Sequence, residues 1–402
     1  MMKRKLIFPL VLALMLTGCG SAPVHVTDSE LEELHSAALA SETENEDTEK
    51  QTAELTEEQT TEEITEAPTE PTTEEPTEPT TEEPTEPTTE EPTVPPLDEP
   101  DGAVNMQSGC LVVNSGTNHA RAIELCGGNM NVGARFANVI SSFKNKIGDA
   151  NVWCMVVPTS AAFYVPEGYQ DKTCDQKAQY DNIVANLSNG VQGVPVYDAE
   201  LMHRNEETYS RTDYHWQPLG AYYAAAEFAK VADVPFADLS TYEKVEREGY
   251  VGAFARVNKI SELNNAAERF TYYKPSNLGS VNCTYFNNDL SGERSGSMFF
   301  ENNSIAASYT VFIGTDDCIF KAETPVDNGR VLVIFKDSYG NALVPFLTES
   351  FSKIYLCDFR FFGTDAATLC ANVGATDVLF AMSTVAVTSS GKVDTLAGNL
   401  GV

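Results

Sequence analysis

The stretch Val331-Leu332-Val333-Ile334-Phe335-Lys336-Asp337-Ser338-Tyr339-Gly340 decides how this chain is expected to fold. Its first five residues are all apolar, which is typical of a strand buried on both faces of a parallel sheet. The strand ends in a polar turn, and a helical pattern follows Ser338. Ligands of such sheets bind beyond the carboxyl ends of the strands. Ser338 therefore stands where a reactive side chain is expected.

Further apolar runs alternate with helical patterns along residues 101–402, as expected for an α/β fold with a parallel sheet flanked by helices. The polar stretch 240–310 has weak periodicity and is predicted to be an insertion of irregular or β structure that could frame a binding surface. Strands are predicted at 110–113, 152–157, 194–197, 311–313, 331–335, 354–356 and 378–380, and helices at 135–147, 176–187, 219–231, after Ser338 and near 366–370.

The first residues have the pattern of an export signal. A positively charged start is followed by a short apolar run from Leu6 to Leu16, which is too short to span a bilayer. Leu16-Thr17-Gly18-Cys19 resembles a bacterial lipobox, so residues 1–18 are predicted to be removed and Cys19 to be lipidated. An ordinary cleaved signal peptide is the alternative. Either interpretation predicts an exported protein, and lipidation would anchor it to the membrane at the bacterial cell surface.

Residues 19–100 form a separate region by composition. Positions 21–100 hold 26 acidic residues against one lysine, and an octapeptide Thr-Thr-Glu-Glu-Pro-Thr-Glu-Pro recurs from Thr72. Such a segment cannot bury enough apolar surface to offset chain entropy, so a disordered, extended stalk is predicted. Of the net charge of −33, only −11 falls on the remaining domain, residues 101–402. That domain has no basic stripe, and no nucleic-acid partner is expected.

The cysteines of residues 101–402 do not point to a metal centre. Eight are present and none forms a Cys-x-x-Cys pair, which argues against zinc and redox motifs. One or two disulfide bonds are compatible with an exported protein, but the sequence does not decide a pairing. Histidines are also few, too few to complete a ligand set, so neither a metal nor a cofactor is expected.

Asp213 and His215 make the first of two signals for acyl-transfer chemistry. They precede a predicted helix, and residues two apart in an extended or turn segment project to the same side. A carboxylate so placed could orient the imidazole. The structural alternative is that Asp213 or Thr212 caps the helix while His215 and Trp216 pack beneath it.

Ser338 makes the second signal. A serine at a strand-to-helix turn has an exposed hydroxyl next to free backbone N–H groups, which can stabilise an oxyanion. The alternative is a serine that simply caps the following helix. A serine, a histidine and a carboxylate together are the minimum equipment for acyl transfer, so the two weak signals gain weight in combination.

These segments also resemble a known family. Asp213-Tyr214-His215-Trp216 and the Pro-Leu-Gly-Ala-Tyr that begins at Pro218 resemble the signature of the DHHW protein family. The resemblance spans about 109 to 385. Its other blocks are Val157-Pro158-Thr159-Ser160 with Tyr164 and Pro166, Lys336-Asp337-Ser338-Tyr339-Gly340-Asn341, Val344-Pro345-Phe346-Leu347, and Asp358-Phe359-Arg360-Phe361. Tyr214 stands where the family name has a histidine.

The resemblance implies an SGNH-hydrolase-like (flavodoxin-like) fold, related to alginate-type O-acetyltransferases of exopolysaccharides. In those enzymes the Asp-x-His pair precedes the serine, as Asp213 and His215 precede Ser338 here. The separate glycine and asparagine blocks of ordinary SGNH oxyanion holes have no match. Backbone N–H groups from Tyr339 onward, with Asn341 or Thr159, are expected to take their place.

Two further residues have open roles. Arg360 is expected either to anchor an anionic or sugar group or to pair with Asp358 or another acid. Trp216 is expected either to pack in the core or to provide a platform for a sugar ring.

Two functions are consistent with these residues. The first is an extracytoplasmic, lipid-anchored O-acetyltransferase or esterase of cell-envelope polysaccharide, using Ser338, His215 and Asp213 and no cofactor. The second is a noncatalytic glycan-binding or envelope-assembly lipoprotein that retains the fold. By resemblance to related acetylation systems, a membrane protein that donates acetyl groups is an expected partner.

Overall fold

The computed structural model describes residues 94–96 and 99–402. The predicted signal peptide, Cys19 and nearly all of the acidic stalk lie outside the described residues, so those expectations stay predictions. Within the described part of the chain, no helix combines the length and the apolar character needed to cross a bilayer.

Thirteen strands in the described residues form three sheets. The eight-stranded sheet has the order β5-β4-β13-β11-β12-β10-β8-β9; the first five strands are parallel and the last three antiparallel. The strands are β1 Ala103–Gln107, β2 Cys110–Ser115, β3 Arg121–Glu124, β4 Asn151–Val157, β5 Gln192–Gly193, β6 Glu243–Tyr250, β7 Glu268–Lys274, β8 Asn282–Phe286, β9 Arg294–Ser295, β10 Ile319–Glu323, β11 Val331–Lys336, β12 Lys353–Asp358 and β13 Asp377–Ser383.

Helices cover both faces of the large sheet, because successive side chains of its central strands point to opposite sides. Val333 and Phe335 of β11 join one apolar cluster with α1 and α10, whereas Leu332 and Ile334 join the other with α5. The α-helices are α1 Met130–Lys144, α2 Ala161–Tyr164, α3 Gln176–Ala185, α4 Val196–Met202, α5 Pro218–Ala232, α6 Ala253–Arg256, α7 Val344–Leu347, α8 Ala366–Val373, α9 Thr384–Val387 and α10 Ser390–Leu400. The predicted α/β fold with a parallel sheet between helices is confirmed.

Two predicted strands are wrong. At 194–197, Pro195 has no amide hydrogen to give to a sheet, and helix α4 begins at Val196 instead. At 311–313, a 3-10 helix ends at Val311 and Ile313 has a positive φ of 65°, so the chain turns away after one isolated bridge. Val194, Val196 and all of 311–313 are nevertheless buried, which explains the strand-like composition of the two segments.

Two predicted helices differ from the structure, one in its first residue and one in its type. Helix α1 begins at Met130, five residues earlier than predicted, because the Asn129 side chain accepts hydrogen bonds from the amides of residues 131 and 132. The helix expected after Ser338 is a 3-10 helix, Ser338–Leu343, which continues into the single turn of α7.

The polar stretch 240–310 is partly β structure, as expected. Strands β6 and β7 pair with each other, and β8 and β9 extend the antiparallel edge of the large sheet. Tyr250 at the end of β6 and Tyr309 after β9 reach the candidate site described below.

Glu200 of α4 is an unusual core residue. Its side chain is fully buried, and neither carboxyl oxygen has a hydrogen-bond partner in the described residues. Burial raises the pKa of Glu200 well above its ordinary value. Gly220 of α5 lies against it, since a Cβ there would be 2.7 Å from the Thr208 carbonyl oxygen and 3.1 Å from Glu200 Oε1.

Replacing Glu200 by glutamine should therefore stabilise the protein more at alkaline than at acidic pH. A carboxyl with a raised pKa binds its proton more tightly in the folded state, so its contribution to stability is lost as pH rises above about 4.3. Urea unfolding should show Glu200→Gln gaining on the order of 1–3 kcal/mol relative to wild type between pH 5 and pH 8. The exposed Glu293→Gln is the control; an equal difference at both pH values would contradict the assignment.

Candidate active site

The turn that carries Ser338 is held by Asp337 at the end of β11. The Asp337 side chain accepts hydrogen bonds from the amides of Tyr339 (3.2 Å) and Ser383 (2.9 Å), which join the turn to the end of β13. The Gly340 amide donates to the Asp337 carbonyl oxygen at 3.0 Å. Gly340 also permits close packing, because a Cβ there would be 2.4 Å from that of Lys336.

Asp213 and His215 lie on a tight loop that precedes α5. Residues Tyr209 and Trp216 form an antiparallel bridge at its base, and the Ser210 amide donates to the His215 carbonyl oxygen at 3.3 Å. Helix α5 then begins with Pro218, a favourable first residue. The loop is thus fixed at both ends before it reaches the turn of Ser338.

The two segments meet through a continuous chain of hydrogen bonds. Asp213 Oδ1 lies 2.8 Å from His215 Nδ1, and His215 Nε2 lies 2.8 Å from Ser338 Oγ. Asp213 and His215 are buried, whereas Ser338 is half-buried. The structure therefore brings together the three residues proposed from sequence, although 123 positions separate the histidine from the serine.

Asp213 is enclosed by donors that keep it ionised. Its Oδ2 accepts the Tyr250 hydroxyl at 2.8 Å and the Ala253 amide at 2.7 Å. Burial alone would raise the pKa of Asp213, but the hydrogen bonds and charge of His215 and the Ala253 amide hold it well below its usual range. The backbone at Gly252 passes so close to Asp213 that only glycine fits, since a Cβ there would be 2.4 Å from Asp213 Cβ.

The imidazole of His215 is also held by a ring on its flat side. Tyr309 stacks on it with ring centroids 3.8 Å apart and an interplanar angle of 6°. The Tyr309 hydroxyl donates to the carbonyl oxygens of Ser338 and Tyr339, both at 3.1 Å. One tyrosine therefore contacts both the base and the backbone of the serine turn.

Trp216 joins the loop to the serine turn from the core. Its side chain is fully buried, and its Nε1 donates to the Tyr339 carbonyl oxygen at 3.1 Å and to the Tyr309 hydroxyl at 3.2 Å. Trp216 thus packs and has no exposed face for a sugar. The Tyr339 hydroxyl in turn donates to the Tyr214 carbonyl oxygen. The histidine loop therefore donates a hydrogen bond to the serine turn, and the serine turn donates one to the histidine loop.

A buried ionic cluster lies behind the turn. Lys336 Nζ contacts Asp316 at 2.5 Å and Asp358 at 2.7 Å. Arg360 donates to both Asp358 oxygens at 2.7 Å and to Asp316 at 3.1 Å. The Asn341 amide nitrogen donates to Asp316 at 2.7 Å. Arg360 therefore takes part in the salt bridge that was one of its two expected roles, and the Asn341 donor is engaged by the same cluster.

Thr159 is the predicted substrate residue whose hydrogen bonds go elsewhere. It is buried after β4, where its amide donates to Gln176 Oε1 at 2.9 Å and its hydroxyl accepts from Gln176 Nε2 at 2.8 Å. The backbone amides expected to stabilise an oxyanion, those of Tyr339 and Gly340, both donate to Asp337. Sequence reasoning missed the contributions of Tyr250, Tyr309 and Asp337.

The arrangement can activate a hydroxyl without a metal ion. A histidine hydrogen-bonded to a serine and oriented by a carboxylate can remove the hydroxyl proton as the serine attacks a carbonyl. Within the described residues, no three His, Cys, Asp or Glu side chains group in a way that could hold a metal. The eight described cysteines are free thiols.

Comparison with known proteins places the chain in a family. The family described as DHHW protein matches residues 130–357, more than half of the chain. The chain belongs to the DHHW family. Its signature Asp213-Tyr214-His215-Trp216 lies in the loop described above, with tyrosine in the second position. In the loop, the Tyr214 ring lies 4.3 Å from the imidazole of His215.

Two solved structures share the fold of this chain. A DHHW family protein from Eubacterium siraeum is 39% identical, with a TM-score of 0.68 over 74% of this chain and 96% of that one. PatB1 from Bacillus cereus, solved with a sulfonyl adduct, is 16% identical, with a TM-score of 0.55 over 72% of this chain and 97% of that one. The O-acetyltransferase domain of Pseudomonas putida AlgJ is 14% identical, with a TM-score of 0.41 over 71% and 98%. No curated protein matches the chain.

Removing the Tyr250 hydroxyl should weaken the reactivity of Ser338. Tyr250→Phe deletes one of the donors to Asp213, and a hydrogen bond to a charged group is worth about 1.5–3 kcal/mol. The rate at which phenylmethanesulfonyl fluoride labels Ser338 should fall roughly tenfold. Tyr272→Phe, on the neighbouring strand β7 with its hydroxyl on Glu301, is the matched control. Equal labelling rates in the two variants would show that Tyr250 does not support the site.

Proposed function

We propose that this DHHW protein is an extracytoplasmic O-acetyltransferase or esterase that acts on a cell-envelope polysaccharide. Ser338 is the nucleophile, His215 the general base and acid, and Asp213 the residue that orients the imidazole. The observation that carries the proposal is the pair of 2.8 Å contacts that link the three side chains. A buried Asp-His pair beside a half-buried serine is hard to explain by packing alone.

The geometry supports a two-step reaction. Ser338 Oγ attacks the ester carbonyl carbon while its proton moves to His215 Nε2, and Asp213 accepts the hydrogen bond from Nδ1 of the resulting imidazolium. The alcohol leaves with the proton from His215, so the acyl group remains on Ser338. A sugar hydroxyl or a water molecule then gives its proton to His215 and takes the acyl group. The first acceptor gives transfer and the second gives hydrolysis.

The surroundings of His215 suit these steps. The stacked Tyr309 ring and the Asp213 hydrogen bond fix the ring plane, so the imidazole can shuttle a proton without rotating. The low pKa of Asp213 keeps its negative charge available to stabilise the imidazolium that forms during attack.

The cellular setting in the proposal rests on the first 100 residues. The charged and apolar start with the lipobox-like Leu16-Thr17-Gly18-Cys19 supports export and lipid anchoring through Cys19. The acidic, proline-rich repeat supports an extended stalk that lets the domain reach envelope glycans. The order Asp213, His215, Ser338 supports acetyl transfer, because it is the order found in the exopolysaccharide acetyltransferases that the sequence resembles. A membrane protein that supplies acetyl groups is the proposed partner.

Hydrolysis of 4-nitrophenyl acetate tests the proposal. The wild-type protein should release 4-nitrophenol, and Ser338→Ala should remove this activity while leaving the thermal unfolding transition in place. Ser280→Ala, at an exposed serine away from the turn, should hydrolyse the ester at the wild-type rate. Activity that survives in Ser338→Ala would refute the assigned nucleophile. A wild-type protein that is inert toward this ester and toward acetylated glycans would instead favour a noncatalytic glycan-binding lipoprotein.

A further inference from the structure

A cavity lies beside the loop that carries Asp213. Its volume is about 580 Å³, within the range of roughly 300–1,000 Å³ that is usual for small-ligand sites. Strand β3, helix α2 and the segment between α4 and the catalytic loop contribute to its walls. Its charged lining residues are Glu99, Asp101, Arg121, Arg204, Glu206 and Arg211.

Three arginines in this cavity have unused hydrogen-bonding capacity. Arg121 stacks 3.9 Å above the Tyr164 ring and makes one hydrogen bond, to the Ser210 carbonyl oxygen at 3.1 Å. Arg211 has a buried Nη1 with no hydrogen-bond partner among the described residues. Arg204 donates from Nε and Nη2 to the Pro95 carbonyl oxygen and has no contact with a carboxylate in the described part of the chain.

Arg121 and Arg211 also lie close enough to repel each other. Burial lowers the pKa of Arg121 and the neighbouring Arg211 lowers it further, whereas Glu268 opposes the effect. Among the described residues, Glu268 is the carboxylate that approaches Arg211, 3.9 Å from its Nε. That carboxylate already accepts the amides of Arg211 and Thr212 and the hydroxyls of Ser210 and Thr212. Two guanidinium groups that share one such engaged carboxylate favour a further anion beside them.

Three acidic residues line the exposed rim of the cavity, and two of them, Asp101 and Glu206, have partners of their own. Asp101 pairs with His119 at 2.8 Å. Glu206 accepts from the Tyr223 hydroxyl at 2.7 Å and contacts His203 Nδ1 at 2.6 Å. Exposed pairs of this kind bind each other weakly and leave polar groups at the rim, where sugar hydroxyls could contact them.

The cavity and the catalytic pair share one short stretch of backbone. Arg211 is two residues before Asp213, so their Cα atoms are at most about 7 Å apart. The Arg211 carbonyl oxygen accepts the Ala122 amide of β3 at 2.9 Å, which fixes the stretch next to Arg121. The backbone that positions Asp213 therefore also forms part of the cavity wall.

We propose that Arg121, Arg204 and Arg211 form a binding site for the carboxylate or phosphate group of an anionic sugar residue. The inference rests on the proposed function, because it gives the acceptor glycan of that reaction an acidic residue. Guanidinium groups match the planar oxygens of a carboxylate or phosphate with paired N–H donors. The site would position the glycan through its charge, one or more sugar units away from the hydroxyl that is acylated.

Binding can be measured without turnover on the full-length Ser338→Ala protein by calorimetry. The probes are galacturonic acid oligomers, glucose 1-phosphate and neutral galactose oligomers. At least one acidic probe should bind, more weakly as sodium chloride is raised. Selective binding of the first probe assigns a carboxylate, and selective binding of the second a phosphate. Because the nucleophile is absent, the result does not depend on whether the acyl-transfer proposal holds.

Substitutions locate the bound anion. In the Ser338→Ala background, Arg211→Gln and Arg121→Gln should each weaken binding about tenfold, whereas Arg204→Lys should retain most of it. Arg135→Gln removes the same charge from an exposed ion pair with Asp394 and should have no effect. Thermal melting of each variant shows that the fold persists. The proposal is overturned if neither acidic probe binds, if the neutral oligomer binds equally well, or if folded arginine variants bind like the parent.

Discussion

The contact between the loop of His215 and the turn of Ser338 is the constraint on which the site depends. Neither segment could place its side chain alone, because each is a short irregular stretch at the end of a regular element. Trp216, Tyr309 and Tyr339 exchange hydrogen bonds across the gap and hold the two backbones together. A hydrogen bond of 2.8 Å between imidazole and hydroxyl is the consequence.

The antiparallel half of the protein supports this contact from outside the sheet. Tyr250 ends β6 and reaches Asp213, while Tyr309 lies in the 3-10 segment before β10 and stacks on His215. Both come from the stretch that separates the histidine from the serine in the chain. The polar insertion therefore contributes to the site, since it supplies a hydrogen-bond donor to Asp213 and an aromatic ring that stacks on His215. The same loop, on its other flank, borders the arginine-lined cavity.

Sequence reasoning was sufficient for the central strands of the sheet and for choosing Asp213, His215 and Ser338 as the candidate site, because these leave local signals. The run from Val331 to Phe335 shows a strand buried on both faces, and Asp213 and His215 are two positions apart. It was not sufficient for Tyr250 or Tyr309, whose roles arise from contacts 29 residues away or more and leave no periodic pattern. The strand expected at 311–313 failed for a related reason: burial makes a segment apolar whether or not it is extended. The left-handed backbone of Ile313 was not visible in its composition.

Trapping of the acyl-enzyme tests the central claim most directly. The protein is mixed with excess acetyl ester, quenched in acid within milliseconds and digested, and the acetylated peptide is sequenced by mass spectrometry. The account predicts one acetyl group on Ser338, absent when His215 is replaced by asparagine. Acetylation confined to another residue, or ester hydrolysis that proceeds with Ser338 never modified, would contradict it.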